Sequence, residues 1–214
     1  RAELAAQREA TRLCTRQYGE AAKSLKLVGE RAFSQPEMAR QTAEGLTRAL
    51  LDKMLIDGEL CIRVLAEVRA DRPTAHALNV TVISLLMGRA LGLGEGDMLD
   101  LGAGALLHDI GKIDLPSRVR HREEHFSASE ARFYEEHVTH GVAHALKMGL
   151  SPGAQLVIAQ HHEHADGSGF PQRMELAKLS QGARIVSLVN RYDNLCNPPL
   201  AALALTPHEA LSLL

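Results

Sequence analysis

His108-Asp109-Ile110-Gly111-Lys112 sets two metal-type ligands side by side, with a cation three residues after the aspartate. An imidazole offers one lone pair to a cation, whereas a carboxylate has two oxygens and can serve two ions at once. If Asp109 bridges in that way, more imidazoles must arrive from elsewhere. The chain has them, with His76 upstream and His137, His161 and His162 downstream. Adjacent side chains on a helix diverge by about 100°, so His108 and Asp109 can face one ion only where a helix ends or turns. Gly111 is expected to supply that break through a positive φ, which costs glycine nothing. The competing reading of the pentapeptide is a buried, hydrogen-bonded His-Asp pair at a helix terminus. Of the 11 histidines, nine fall between His108 and His164, and that clustering favours the metal.

These residues need helices to hold them. Residues 1 to 33 read as a charged amphipathic helix, and Ser34 with Glu37 reads as a capping box opening a second helix to about Ile56. A short helix is expected over 59 to 69. Thr74 is expected to cap the helix that carries His76 and runs to about Leu91. Gly92, Gly94 and Gly96 look like a phosphate loop, but no strand precedes them and no Gly-Lys-Ser/Thr follows, so a helix-helix connection fits better. Residues 97 to 107 form an apolar helix delivering His108 and Asp109. Ser127 and Glu130 make a second capping box before His137, His140 and His144, and Ser151-Pro152-Gly153 starts the helix leading into His161 and His162. A turn-rich loop follows from Glu163 to Pro171, then an apolar helix from Ala183 to Leu195, and Thr206 to Glu209 caps a last one. No strand pattern is present, and the fold class is all-α.

At 214 residues the chain suits one substantial domain with a helical appendage. Aromatic residues make up 3% and Trp is absent, so the core is aliphatic. A formal net charge of −2 gives no reason to expect a nucleic-acid polymer as partner, although small phosphorylated ligands remain compatible. Three scattered cysteines form no disulfide set, which suits a reducing cytoplasm. No apolar run reaches the length of a membrane span. The chain starts at Arg1 and stops inside a helical pattern, as expected of a fragment. Residues 1–58 are expected to be an N-terminal helical segment that links, dimerises or relays a signal. Packing against the domain is its plainer role. Residues 59–214 are expected to be the functional domain, incomplete at its C-terminus.

His76 followed by His108-Asp109 resembles the HD superfamily of metal-dependent phosphohydrolases. The run His161-His162-Glu163-His164-Ala165-Asp166-Gly167-Ser168-Gly169-Phe170-Pro171 is similar to the HD-GYP signature HHExxDGxGYP, and His137 to Gly141 resembles that subfamily's HxxxG element. Asn79 and Val80 match the residues that follow its first histidine. The resemblance spans residues 76 to 171, continues weakly to about 198, and implies an HD-domain helical bundle. It implies two divalent ions, iron or manganese, with His76, His108 and Asp109 on one and His137, His161 and His162 on the other. It further implies hydrolysis of cyclic di-GMP to pGpG or GMP by a water that the metals activate. Asp109 would bridge, and Lys112 would stabilise phosphate charge. Glu163 and Asp166 would orient the histidines. Gly167, Gly169, Phe170 and Pro171 would shape a loop linked in the family to GGDEF-domain partners. His140 and His144 read as helix-surface or supporting residues, and a homodimer is compatible.

Four positions depart from the family pattern. Asn190 stands where a distal metal aspartate is usual; its amide oxygen can coordinate but lacks charge. Asp193, three residues on, could substitute or support. Arg72 stands where trinuclear members place a glutamate, which argues for two ions. Phe170 replaces the eponymous Tyr, and the segment after Asp193 lacks an arginine that many members set against the ligand phosphate. Two alternatives follow: a degenerate signalling module that binds a partner or ligand, and an HD phosphohydrolase for another nucleotide.

Overall fold

A computed structural model describes residues 2–54, 71–120 and 126–214. Eight α-helices are present among the described residues: α1 (Ala2–Arg31), α2 (Pro36–Ala49), α3 (Arg72–Ala90), α4 (Glu95–Leu107), α5 (Ala128–Met148), α6 (Pro152–Gln160), α7 (Gln181–Cys196) and α8 (Pro207–Ser212). The one β feature among the described residues is an isolated bridge between Asp166 and Glu175, so the all-α expectation holds. The expected helix over 59–69, the 58/59 boundary, His121 and His125 lie outside the described residues.

The most enclosed element is α4, which packs against α3, α6 and α2. Its residues Met98, Leu101, Ala103, Ala105, Leu106 and Leu107 are all buried, and from Leu101 to Leu107 the sequence is accordingly apolar all round rather than along one stripe. Its C-terminal end therefore opens at the centre of the molecule, where His108 and Asp109 follow. Tyr18, Ala21 and Val28 of α1 and Ala39, Ala43 and Leu46 of α2 belong to the same core as Leu78, Leu85, Leu107 and Ile158. The N-terminal helices thus pack on the domain rather than standing off it.

Two helix starts differ from expectation by a residue or more. Gln35, not Ser34, is the N-cap of α2, and no side-chain cap bond forms. Pro36 fixes the first helical φ and forces the residue before it out of the helix, so a box counted from Ser34 is one residue out of register. Similarly, α3 is capped by Asp71, whose Oδ1 accepts from the Thr74 N–H at 3.1 Å; Thr74 is already inside the helix. The boxes at Ser127/Glu130 and Thr206/Glu209 form as expected, and Ser151 caps α6.

Candidate metal centre

Four helix ends or faces deliver the imidazoles. His76 lies on the first turns of α3, His108 follows α4, His137 sits midway along α5, and His161 and His162 follow α6. One device orients three of them. The Nδ1 of His108 faces the Ala105 carbonyl at 2.7 Å, that of His161 faces the Ile158 carbonyl at 2.8 Å, and that of His137 faces the Tyr134 carbonyl. Each carbonyl lies three residues earlier, where the end of a helical turn leaves it within reach. His76 is oriented instead by a carboxylate, with Nδ1 2.6 Å from Asp193 Oδ2.

The tautomers follow from these contacts. A carbonyl or carboxylate can only accept, so each Nδ1 carries the proton and each Nε2 presents a bare lone pair. Those lone pairs meet. His76 Nε2 and His108 Nε2 are 3.3 Å apart, and His137 Nε2 and His161 Nε2 are also 3.3 Å apart. Asp109 lies between the pairs, with Oδ2 3.8 Å from His76 Nε2 and 3.4 Å from His108 Nε2. Its Oδ1 is 3.5 Å from His137 Nε2 and 3.7 Å from His161 Nε2. Asp109 Oδ1 and His162 Nε2 are buried without a hydrogen-bond partner. The second cluster, Asp109 with His137, His161 and His162, and the first, His76 with His108 and Asp109, each have ligand atoms within 4.8 Å of one another. Apart from Lys112, which donates to Asp109 Oδ2, no donor among the described residues stands between these converging acceptors; they repel, and cations relieve that repulsion. The residues therefore fit two divalent ions.

Protonation states agree. Burial pushes His108 and His137 down to about 3 and His162 well below its usual value, so all three stay neutral. Burial alone would raise Asp109, but Lys112 and the surrounding imidazoles hold it well below the usual carboxylate range. Burial also opposes the charge on Lys112, and Asp109, 2.7 Å from its Nζ, more than offsets this and raises it.

Several expected roles change. Gly111 is not among the residues with positive φ. Instead its Cα lies against α5, and a Cβ there would run into the His137 carbonyl oxygen and the Gly141 nitrogen. The glycine permits contact rather than a turn, and the short 3-10 helix Ile110–Asp114 makes the bend. Glu163 is buried but does not orient a histidine; its two oxygens accept the Gln172 and Met174 N–H groups at 2.6 and 2.8 Å. Asp166 is exposed and accepts from the Ser168 N–H and hydroxyl, bracing the loop rather than the ligands. Asp193 is not a stand-in ligand for Asn190. Both of its oxygens are engaged, Oδ2 by His76 and Oδ1 by the Asn79 and Asn197 amides at 2.9 and 2.8 Å.

Asn190 is buried, lines the cavity beside His161 and His162, and its Oδ1 accepts from the Asn194 amide at 2.9 Å. Phe170 keeps an aromatic role without a hydroxyl, stacking on His162 at 4.5 Å and 20°. The Phe170–Pro171 peptide is cis, and Gly167 has φ 76°. Gly169 lies so close to the backbone of His162 and His164 that a Cβ would overlap both. His144 is buried, not on the helix surface, with Nε2 2.8 Å from Asp114 Oδ2, while His140 is partly exposed. Sequence reasoning missed Tyr134, whose ring lies 4.8 Å from that of His137 and 5.1 Å from Lys112 Nζ. Its spacing one turn before His137 was the available signal.

A cavity of about 840 Å³ opens over the centre, lined by His161, His162, Lys112, Asn190, Tyr134 and Phe170 among others. Among the described residues its lining carries three cations, Arg72, Lys112 and Arg191, against one carboxylate, Glu135. An all-helical domain with paired imidazole clusters sharing one aspartate, under a cationic cavity, is the class of protein these features define. The HD domain family model matches residues 59–214, and the chain belongs to that family.

Two curated relatives show the range. The chain is 29% identical over 131 residues to the 3'3'-cGAMP-specific phosphodiesterase 2 of Vibrio cholerae, covering 60% of this chain and 25% of that protein. It is 28% identical over 135 residues to a cyclic di-GMP phosphodiesterase of Thermotoga maritima, covering 62% and 36%. The chain thus spans a quarter to about a third of the length of these relatives. The fold matches Bd1817, a HDG"Y"P protein from Bdellovibrio bacteriovorus, with TM-score 0.76 at 19% identity over 92% of this chain and 63% of that one. Among the described residues no helix is long and apolar enough to cross a membrane.

Proposed function

We propose that this domain is a metal-dependent phosphodiesterase that hydrolyses cyclic di-GMP or a closely related cyclic dinucleotide to pGpG or GMP. The observation that carries the reading is Asp109, with one oxygen toward His76 and His108 and the other toward His137 and His161. His76, His108 and Asp109 would hold one ion, and Asp109, His137, His161 and His162 the other. Iron or manganese suits such an imidazole and carboxylate set better than structural zinc does. The ions, when bound, supply Lewis acidity toward a phosphate ester and its attacking water.

The chain's own part is positional. Asp193 and the three carbonyls lock His76, His108, His137 and His161 each in one tautomer. Lys112 reaches the cavity and steadies Asp109, placing a cation where phosphate charge develops. Phe170 covers His162, and Tyr134 covers His137. The cavity volume lies within the range of small-ligand sites, and its cationic lining favours a phosphorylated ligand. The activities for which these relatives are named support the cyclic dinucleotide over other phosphate esters. The same reading includes a cytoplasmic location, a GGDEF-domain partner at the partly exposed Asp166–Pro171 loop, and self-association through the exposed Leu4, Leu13 and Leu27 of α1. Protein loaded anaerobically with iron or manganese should convert cyclic di-GMP to pGpG or GMP. Absence of turnover with both ions bound rejects the assignment.

One observation favours a second reading. Asn190 brings no charge to the cavity and its Oδ1 is already engaged by Asn194, as a degenerate binding module would have it. If Asn190→Asp creates turnover where the natural chain has none, that module is the better description.

A further inference from the structure

We infer that Arg72 is the residue that selects a ligand with a second phosphate, by binding the phosphate that is not cleaved. This rests on the cyclic-dinucleotide reading above and goes beyond it in assigning the second subsite. Arg72 sits at the first turn of α3, four residues before His76, so the two side chains share one helix face at the same end. It lines the cavity with Lys112, His161 and His162.

Its guanidinium is held in place from one side only. Nε and Nη2 donate to the Asn197 carbonyl at 3.4 and 3.2 Å, and no carboxylate among the described residues pairs with it. Asn197 is itself fixed, because its amide nitrogen donates to Asp193 Oδ1 at 2.8 Å and its N–H to the Asp193 carbonyl at 2.7 Å. The neighbouring Asp71 is engaged elsewhere, by Lys26 at 2.9 Å and by the Thr74 N–H. Arg72 thus carries a positive charge over the cavity, on a preset arm, with donor capacity left over.

The other two cations that line the cavity among the described residues are less suited. Lys112 is bonded to Asp109 at the centre itself. Arg191 is exposed and its Nη2 leans to the Leu213 carbonyl at 3.4 Å. A planar guanidinium with a free edge matches the two oxygens of a phosphodiester, which a lysine ammonium cannot do in the same bidentate way. The asymmetry gives a ligand with two phosphates a defined pose: one phosphate at the Asp109 centre and the other at Arg72.

The test compares two substrates on the metal-loaded protein: cyclic di-GMP, with two phosphodiesters, and bis(4-nitrophenyl) phosphate, with one. For Arg72→Ala the ratio of kcat/KM for cyclic di-GMP to that for the nitrophenyl ester should fall by about tenfold to a hundredfold, as expected for loss of a charge-assisted contact. The fall should appear mainly in KM, and Arg72→Lys should restore only part of it. Metal content and the circular dichroism spectrum report whether the fold is intact. An unchanged ratio, whether both activities fall together or neither does, overturns the assignment of Arg72. If the unaltered protein cleaves the nitrophenyl ester but neither binds nor cleaves cyclic di-GMP, the cyclic-dinucleotide reading fails first and this inference fails with it.

Discussion

Asp193→Asn isolates the support of one ion from the rest of the centre. Asp193 accepts three hydrogen bonds, from His76 Nδ1 at 2.6 Å on one oxygen and from the Asn79 and Asn197 amides at 2.9 and 2.8 Å on the other. An asparagine has a single carbonyl oxygen, and two donors already claim one side of the site. Its NH2 must therefore turn toward His76. An N–H facing Nδ1 moves the imidazole proton to Nε2, which removes the lone pair aimed at Asp109. Loss of such a supporting carboxylate costs about 10–100-fold in metal affinity, or about 1.4–2.7 kcal/mol. Only the His76/His108 ion should weaken, because His137 and His161 take their orientation from the Tyr134 and Ile158 carbonyls. Calorimetric titration of metal-free protein with manganese should resolve two sites in the natural chain and one unchanged plus one weakened site in Asp193→Asn. Two unchanged sites, or equal weakening of both, refutes the reasoning.

Further outcomes follow from the same geometry. Gly111→Ala would press a methyl group into the α5 backbone at His137 and Gly141, costing about 1–3 kcal/mol and lowering Tm by about 2–10 °C; an unchanged melting curve contradicts the close approach. The metal-free protein should lose stability as pH falls from about 6.5 toward about 3. Over that window the unfolded chain takes up protons at His108 and His137 that the fold excludes. Asp109, depressed in the fold, acts in the same direction. Thermal melts at pH 7.5 and pH 5 check the sign, and a higher Tm at pH 5 is the contrary result. Glu163→Ala should free the loop backbone at Gln172 and Met174, raising proteolytic cleavage there while manganese stoichiometry holds, whereas loss of metal would show that Glu163 supports the histidines after all.

What the sequence made legible is what short-range pattern encodes. The His-Asp pair at a helix end, the apolar α4 behind it and the capping boxes at Ser127 and Thr206 are local signals, and they stand in the fold. The reasons behind several residues are not local. Gly111 looked like a turn glycine because glycine at a helix end usually is one; that α5 crosses it closely depends on how two distant helices pack. The family resemblance implies that Glu163 and Asp166 orient the histidines, yet their oxygens are taken by backbone N–H groups that the loop brings back nine to eleven residues later and by Ser168. The i−3 carbonyls that fix three tautomers have no side-chain signature at all. Asp193 was legible as a substitute ligand or a support, and the choice between them rests on His76 and Asn79, more than a hundred positions away. Ser34 and Thr74 misled for a smaller reason, since a nearby proline and aspartate compete for the same cap.

The claim that Asp109 joins two ions is tested most directly by electron paramagnetic resonance of the manganese-loaded protein. The geometry predicts the spectrum of a spin-coupled pair at two equivalents per chain, lost in Asp109→Ala. Signals of isolated ions at every loading, or a coupled pair that survives Asp109→Ala, would contradict it.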